Sequence, residues 1–434
     1  MPEIKLLTAL EILDSRGRPT VQATCVLADG VSASASVPSG ASRGTAEATE
    51  LRDGDPHRYR GLGCRKAVEM IAGEVNEAMS KRSFSNQEEL DRELVALDGT
   101  ASKSRLGANS TLAVSLAFAR AIAHQQGIPL YQHLGRNWNS EPSRVPRPII
   151  NLFSGGKHAG EQVCIQDVLV APLSPETIDE ALAMTWEIYQ CAAEICLERY
   201  GYRSLTADEG GLAPAFPEIS NMLEDAVDAL RRAGLKEGKD VAIALDVAAS
   251  HFYSNQLYRF GNEKLESKGF IECIRAWTAS YPIVAVEDGL AEEDWNGWTE
   301  LYRQLGNEVL VIGDDLLCTN PDRIRKAIRK KAANALLLKV NQIGTLTEAA
   351  QAAQLAREAG WSIVVSARSG ETEDHWLADL ATGWSGDLIK IGSITQSERL
   401  AKYNRLLAIE KETGWKLASW PIKGSDLAAI GEIS

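Results

Sequence analysis

The second half of the chain repeats one pattern six times. A short apolar run ends in a charged residue, and a helical stretch precedes the next run. Ile243-Ala244-Leu245 leads to Asp246, Val284-Ala285-Val286 to Glu287, and Leu310-Val311-Ile312-Gly313 to Asp314. Leu336-Leu337-Leu338 then leads to Lys339, Val364-Val365-Ser366-Ala367 to Arg368, and Leu388-Ile389 to Lys390. The charged positions stand 41, 27, 25, 29 and 22 residues apart, each about one βα unit. This predicts an α/β barrel, whose strand C-termini converge on one mouth. Three acids followed by lysine, arginine and lysine would then share it. Carboxylates there can hold a hard cation, and the basic groups can handle an anionic substrate. One charge after one strand reads as a turn residue; six in series, acids before bases, read as a site.

At 434 residues the chain is long enough for such a barrel and a smaller partner domain. With 24% charged and 44% apolar residues it reads as a soluble globular protein. A net charge of −13 argues against nucleic acid or an anionic membrane as a main partner, though not against small anions, which local cations govern. The seven cysteines are scattered without a CxxC pair, which suggests reduced thiols in a cytoplasmic protein. The start Met1-Pro-Glu-Ile-Lys shows no signal-peptide core, and no apolar run approaches the ~20 residues of a membrane span.

Residues 4 to 37 alternate as strands do, with a turn signal at Ala28-Asp29-Gly30. Residues 38 to 45 are small and glycine-rich, which suits a mobile loop. Helical spacing follows around 63 to 80 and 86 to 95, and a long helix is expected to start near Asn109 as its cap. These elements predict an N-terminal α+β domain over 1–136. The stretch Asn137-Trp-Asn-Ser-Glu-Pro-Ser-Arg-Val-Pro reads as a linker at the head of a barrel domain over 137–434.

Pro38-Ser-Gly-Ala-Ser-Arg-Gly, Gly155-Gly-Lys-His-Ala-Gly, Asp208-Glu-Gly-Gly, Leu337-Leu-Lys-Val-Asn-Gln-Ile-Gly-Thr, Ser369-Gly-Glu-Thr-Glu-Asp and Ser397-Glu-Arg-Leu-Ala-Lys-Tyr-Asn resemble the enolase family. The similarity runs from about residue 5 to about 410. It implies an α+β lid on a (β/α)8 barrel, two Mg2+ ions, a 2-phosphoglycerate or phosphoenolpyruvate substrate, and a homodimer. Asp246, Glu287 and Asp314 match the family's metal ligands, and Ser39 its second-metal position. Lys339 matches the base, Lys390 the lysine that neutralises the substrate carboxylate, and Arg368 with Ser369 the phosphate grip. Glu209 matches the acid at the C3 hydroxyl, Asp167 its carboxylate partner, and His158 and Gln166 neighbours of the substrate. The chemistry is coherent. Removing a proton α to a carboxylate builds charge that divalent cations stabilise, and a lysine flanked by cations has a lowered pKa. Asp288 and Asp315 read as capping or supporting groups. His57, His124 and His133 read as structural or exposed, and His251 and His375 match no catalytic position of the family.

The departures from the family cluster. A histidine beside the leaving group is Ala367, and the glutamate that partners the acid is the shorter Asp167. Gly289 stands for a proline, and Ser393-Ile-Thr-Gln for Ala-Pro-Ala-Arg. Arg43, Lys157 and Glu161 replace a threonine, a small residue and an asparagine. The carboxylate and α-proton half is intact, while the half that expels the C3 hydroxyl has lost an imidazole and gained space. Three readings follow. The first is a repurposed enzyme joining C3 to a second anionic reactant held by Arg43 and Lys157, similar to enolase homologues that form a carbon–phosphorus bond with a nucleotide-activated phosphonate. The second is an ordinary 2-phosphoglycerate dehydratase, and the third a non-catalytic binding protein on the same scaffold.

Overall fold

The computed structural model describes residues 1–421 except 139, 202–204 and 262, and of His158 the backbone alone. Its N-terminal part opens with a three-stranded antiparallel sheet of β1 (Ile4–Leu13), β2 (Pro19–Leu27) and β3 (Ser32–Ser36), ordered β1-β2-β3. On β2 the alternate residues Val21, Ala23, Cys25 and Leu27 are buried, as period-two patterning requires of a sheet with one covered face. They pack against the helix Ala108–Gln125, which is buried almost all round, as its run of Ala, Leu, Val and Phe allows. Asn109 is not the cap of that helix. It lies inside the first turn, where its Oδ1 accepts the Leu51 N–H at 2.9 Å and its Nδ2 donates to Leu51 O at 3.1 Å. Gly107 starts the helix instead, at a φ of 92°.

The barrel closes from eight strands: β4 (Arg147–Ser154), β5 (Asp167–Pro172), β6 (Val241–Asp246), β10 (Ile283–Glu287), β11 (Leu310–Gly313), β12 (Ala335–Leu338), β13 (Ser362–Ser366) and β14 (Leu388–Lys390). Between β6 and β10 a small sheet of β7 (Tyr253–Ser254), β8 (Leu257–Phe260) and β9 (Glu263–Leu265) projects from a loop. All six apolar runs of the repeat are barrel strands. The barrel is not a regular eightfold βα repeat, however. β5 pairs antiparallel with both β4 and β6, while the remaining neighbours are parallel. The cause is the connection. Residues 155–166 hold only one short turn of helix, Gly156–Ala159, and a parallel neighbour needs a longer crossover, usually through an α-helix. The reversal puts the first residue of β5, Asp167, at the same mouth as the last residue of β4, Ser154. Inside the barrel Ile149, Leu169, Ala171, Ala242, Ala244, Leu310, Ile312, Leu337, Val364 and Leu388 form a closed apolar plug below that mouth.

The N-terminal domain docks on the segments after β12 and β13. Thr111 Oγ1 donates to Gly344 O at 2.7 Å, Lys103 pairs with Glu348 at 2.8 Å, and Arg120 pairs with Asp374 at 2.6 Å. Asp91, on the helix Gln87–Asp98, accepts the N–H and hydroxyl of Thr347 at 2.9 and 2.6 Å in the first turn of the helix Leu346–Glu358. All seven cysteines are free. No helix among the described residues is long and apolar enough to cross a membrane.

Burial, partly offset by bonds from Thr347, Ser115 and Gln87, pushes the Asp91 carboxyl up to about 6. The folded chain therefore holds this proton where the unfolded chain has already released it. That contribution to stability is complete below about pH 4 and is lost as pH rises through about 6. Asp91→Asn cannot show this loss. Between pH 4 and 7 its stability relative to wild type should improve by up to ~3 kcal/mol in urea denaturation. Parallel pH profiles for the two proteins would show that Asp91 is already ionised in the fold.

Candidate active site

Each charged residue of the repeat stands at, or one or two places beyond, a strand end, so strand direction alone brings them to one mouth. Lys390, the last residue of β14, reaches across to β6 and β10. Its ammonium donates to Asp246 Oδ2 at 2.8 Å and Glu287 Oε2 at 2.7 Å. Lys339, directly after β12, donates to Asp314 Oδ2. Gln166, just before β5, donates from Nε2 to Asp246 Oδ2 at 3.0 Å. Glu209 accepts from Asn151 Nδ2 at 3.1 Å, and Asp167 accepts from the Ser154 hydroxyl at 2.5 Å.

These charges are buried, and they shift one another. Burial first, and then the neighbouring Asp246, hold the Glu287 carboxyl well above the usual carboxylate range, although Lys390 opposes this. Burial, then Asp314, pushes the Asp315 carboxyl up to about 7. Burial alone would pull both lysines down. For Lys390 it is outweighed by Asp246 and Glu287, and for Lys339 by Asp314, so both ammonium groups are held above the ordinary lysine value. This corrects the expectation of a lowered Lys339 pKa, because the carboxylate nearest the ammonium outweighs the cations around it.

One cavity of about 550 Å³, counting its open mouth, collects Gln166, Glu209, Asp246, Asp314, Lys339, Arg368, Ser369 and Lys390. Ala41, Ser42, Ala248, His251, Asp288, Asp315, Ser366 and Ala367 complete its wall. Glu287 joins through Lys390. The loop after β3 closes over this mouth and is fastened there. Ala41 N–H donates to Ser369 Oγ at 2.8 Å, and Thr45 Oγ1 donates to Glu292 Oε2 at 3.1 Å. Arg368 donates to Glu47 Oε2 at 3.1 Å and to Ser42 O at 3.0 Å. A Cβ on Gly40 would overlap the Arg368 guanidinium, so only glycine allows this approach.

Not every expected residue arrives. Ser39 is not part of the cavity wall, and its hydroxyl donates to Asp14 Oδ2 at 3.1 Å while Arg16 donates to it at 3.0 Å. Arg43 is exposed and its guanidinium is engaged by the lid itself, on Glu47 O and Thr49 Oγ1, each at 3.0 Å. Lys157 is exposed and lies outside the cavity wall. The His158 side chain lies outside the described residues. Sequence reasoning missed Glu47, although it sits four residues after Arg43 and two beyond the stretch 38 to 45 already singled out. Its only signal was an acid placed to meet a buried arginine.

The donor set suits a hard divalent cation. Asp246, Glu287 and Asp314 present carboxylate oxygens at adjoining strand ends, where burial first and then mutual crowding raise the proton affinity of Glu287. Oxygens of Asp288, Asp314 and Asp315 also lie within 4.8 Å of one another. Asp288 is the least available of these. Its two oxygens already accept the N–H groups of Asp314 and Asp315, at 2.9 and 2.8 Å.

Two family models match the sequence: the enolase N-terminal domain over residues 4–134 and the enolase C-terminal TIM barrel domain over residues 142–423. The chain belongs to the enolase family. The two matches together span nearly all described residues, and the strand-end charges of this enolase-family barrel all fall within the second.

Because Asp288 shapes the turn that presents Asp314, Asp288→Ala should leave two inward N–H groups without acceptors. A loss of about 1–3 kcal/mol in urea denaturation is expected, and a smaller one for Asp288→Asn, which keeps one oxygen acceptor. Wild-type stability in the alanine variant would mean that these N–H groups find other partners.

Proposed function

We propose that this chain is a Mg2+-dependent enzyme acting on phosphoenolpyruvate or 2-phosphoglycerate. We further propose that it joins C3 of the bound enol phosphate to a second anionic reactant of the nucleotide-activated phosphonate type. In that step a C3–phosphorus bond forms, the phosphorus–nucleotide bond breaks, and C3 loses a proton. The observation that carries the reading is the make-up of one cavity wall. Asp246, Asp314, Lys339, Arg368 and Lys390 line it together, whereas Ala367 puts only a methyl group where the family has an imidazole.

The chain's own residues divide the work. Asp246, Glu287 and Asp314 would hold the cation, with Ser39 available to a second one after rotating from Asp14. Bound there, Mg2+ supplies positive charge that stabilises the extra negative charge on the substrate carboxylate. Arg368 and Ser369 grip the phosphate, and Lys390 neutralises the carboxylate. Lys339 exchanges the proton at C2. Asp314 keeps Lys339 protonated, and a cation held by Asp314 would weaken that interaction and favour the free amine a base requires. Glu209 and Asp167 serve the C3 side, with Gln166 as a neighbour of the substrate; the resemblance gives His158 the same part.

The ordinary dehydratase is the second reading, favoured by Glu209 and Lys339 lining the same cavity. Two measurements separate them. With Mg2+, solvent deuterium should enter C2 of 2-phosphoglycerate, and Lys339→Ala should abolish it; persistence in the variant would remove Lys339 from the role of base. Formation of phosphoenolpyruvate, followed by absorbance, should run ~10²–10⁴-fold below that of ordinary enolases, because one positioned proton-transfer group is gone. Ala367→His should recover part of that rate. Ordinary turnover in wild type would return the dehydratase to first place. Phosphorus NMR of a mixture with phosphoenolpyruvate and a nucleotide-activated phosphonate should show the new carbon–phosphorus bond.

A further inference from the structure

The turn Val340–Gln342, directly after Lys339, belongs to the barrel but makes several bonds to the lid. Ala48 N–H, on the lid loop, donates to Gln342 O at 2.8 Å. Asn341 Nδ2 donates to Pro38 O at 3.5 Å, and its Oδ1 accepts at 3.1 Å from the barrel's Arg368, which itself bonds the lid loop at Ser42 O. The Gln342 carboxamide is buried and divides its two N–H groups between two acids. Nε2 donates to Asp314 Oδ1 at 2.8 Å and, at a longer 3.4 Å, to Glu47 Oε1 on the lid loop. Those acids in turn hold the cations of the site. Asp314 takes Lys339 on its other oxygen, and Glu47 takes Arg368.

We propose that Gln342 is a positioning residue that couples the seating of the lid loop to the placement of Lys339, acting through Asp314. The proposal rests on the reading of Lys339 as the base. Thr319 fixes the direction of the carboxamide. Its hydroxyl oxygen accepts the Lys339 backbone N–H at 3.0 Å and its proton goes to Gln342 Oε1 at 2.8 Å. With Oε1 so engaged, Nε2 must face the acids. A flipped amide would set an oxygen against two carboxylates and two N–H groups against a hydroxyl that has one lone pair left. The polar circuit therefore closes: Lys339 Nζ to Asp314, Asp314 to Gln342, Gln342 to Thr319, and Thr319 back to Lys339 N. Thr319 and Cys318 before it hold φ angles of +50° and +48°, uncommon for residues with a Cβ and more so for a branched one. The surrounding bonds maintain that conformation. A lid loop that lifts takes Glu47 with it and releases one side of the carboxamide. A seated loop restrains the amide, and through it the carboxylate against which Lys339 lies.

A purely structural amide would give the same melting loss on removal, so the test reads two other quantities in the full-length protein. Gln342→Met keeps the shape and removes the donors, Thr319→Val keeps the shape and removes the hydroxyl, and Thr319→Ser retains it. In ligand-free protein, amide deuterium uptake over residues 39–49 should rise in Gln342→Met. With Mg2+ and 2-phosphoglycerate, exchange at C2 should fall about 10–100-fold in Gln342→Met and Thr319→Val and stay near wild type in Thr319→Ser. Affinity for phosphoenolpyruvate should change less than about threefold in all three, so the loss is in rate and not in binding. Unchanged protection of residues 39–49 in Gln342→Met overturns the coupling. So does a loss of binding in step with rate, or a Thr319→Ser variant as slow as Thr319→Val. If wild type itself shows no exchange at C2, the base reading fails separately, and loop protection alone decides whether Gln342 seats the lid.

Discussion

The mouth of the barrel depends on one ammonium group between two carboxylates. Asp246 and Glu287 end neighbouring strands and are both buried, so their charges repel where water cannot screen them. Lys390 answers both, and it comes from β14, separated from β6 in the barrel by β4 and β5. Only a closed barrel lets ends so far apart in strand order share one ion cluster. The same closure places Lys339 against Asp314. The site is thus a ring of opposed charges whose balance a divalent cation would shift, and the fold has already met the desolvation cost of assembling it.

Much of this was legible in order along the chain. Each of the six apolar runs ending in a charge became a strand with that charge at or just past its end, because strand polarity in a barrel converts sequence position into location. The reversal of β5 was not legible. Val168-Leu169-Val170-Ala171 is apolar whichever way it runs, and the direction is set by the absence of a crossover helix in 155–166. The role of Asn109 was misread for a related reason: an amide near a helix start suits a cap, but here Leu51 offers both a donor and an acceptor to it.

The lid contacts were the least visible. Glu47, Thr319 and Gln342 carry no periodicity and meet only after residues far apart are folded together. Arg43 and Lys157 show the converse. Charge gained on a loop suggests a ligand, and in this structure Arg43 also braces the loop carrying Glu47, its Nη2 donating to Glu47 O and Thr49 Oγ1. Burial decides between these roles, and neither charge nor spacing reports it.

The docking of the lid has a consequence for biosynthesis. Its contacts join Lys103 to Glu348, Thr111 to Gly344, Asp91 to Thr347 and Arg120 to Asp374, separations of 245, 233, 256 and 254 residues. The first domain therefore emerges from the ribosome long before the surface it rests on exists. At ordinary elongation rates that interval is roughly 10–50 s. During it the carboxyl of Asp91 lacks its Thr347 partner, and the lid must keep itself from other nascent chains by its own packing. The last strands of the barrel, made latest, complete both the charge cluster and the seat of the lid.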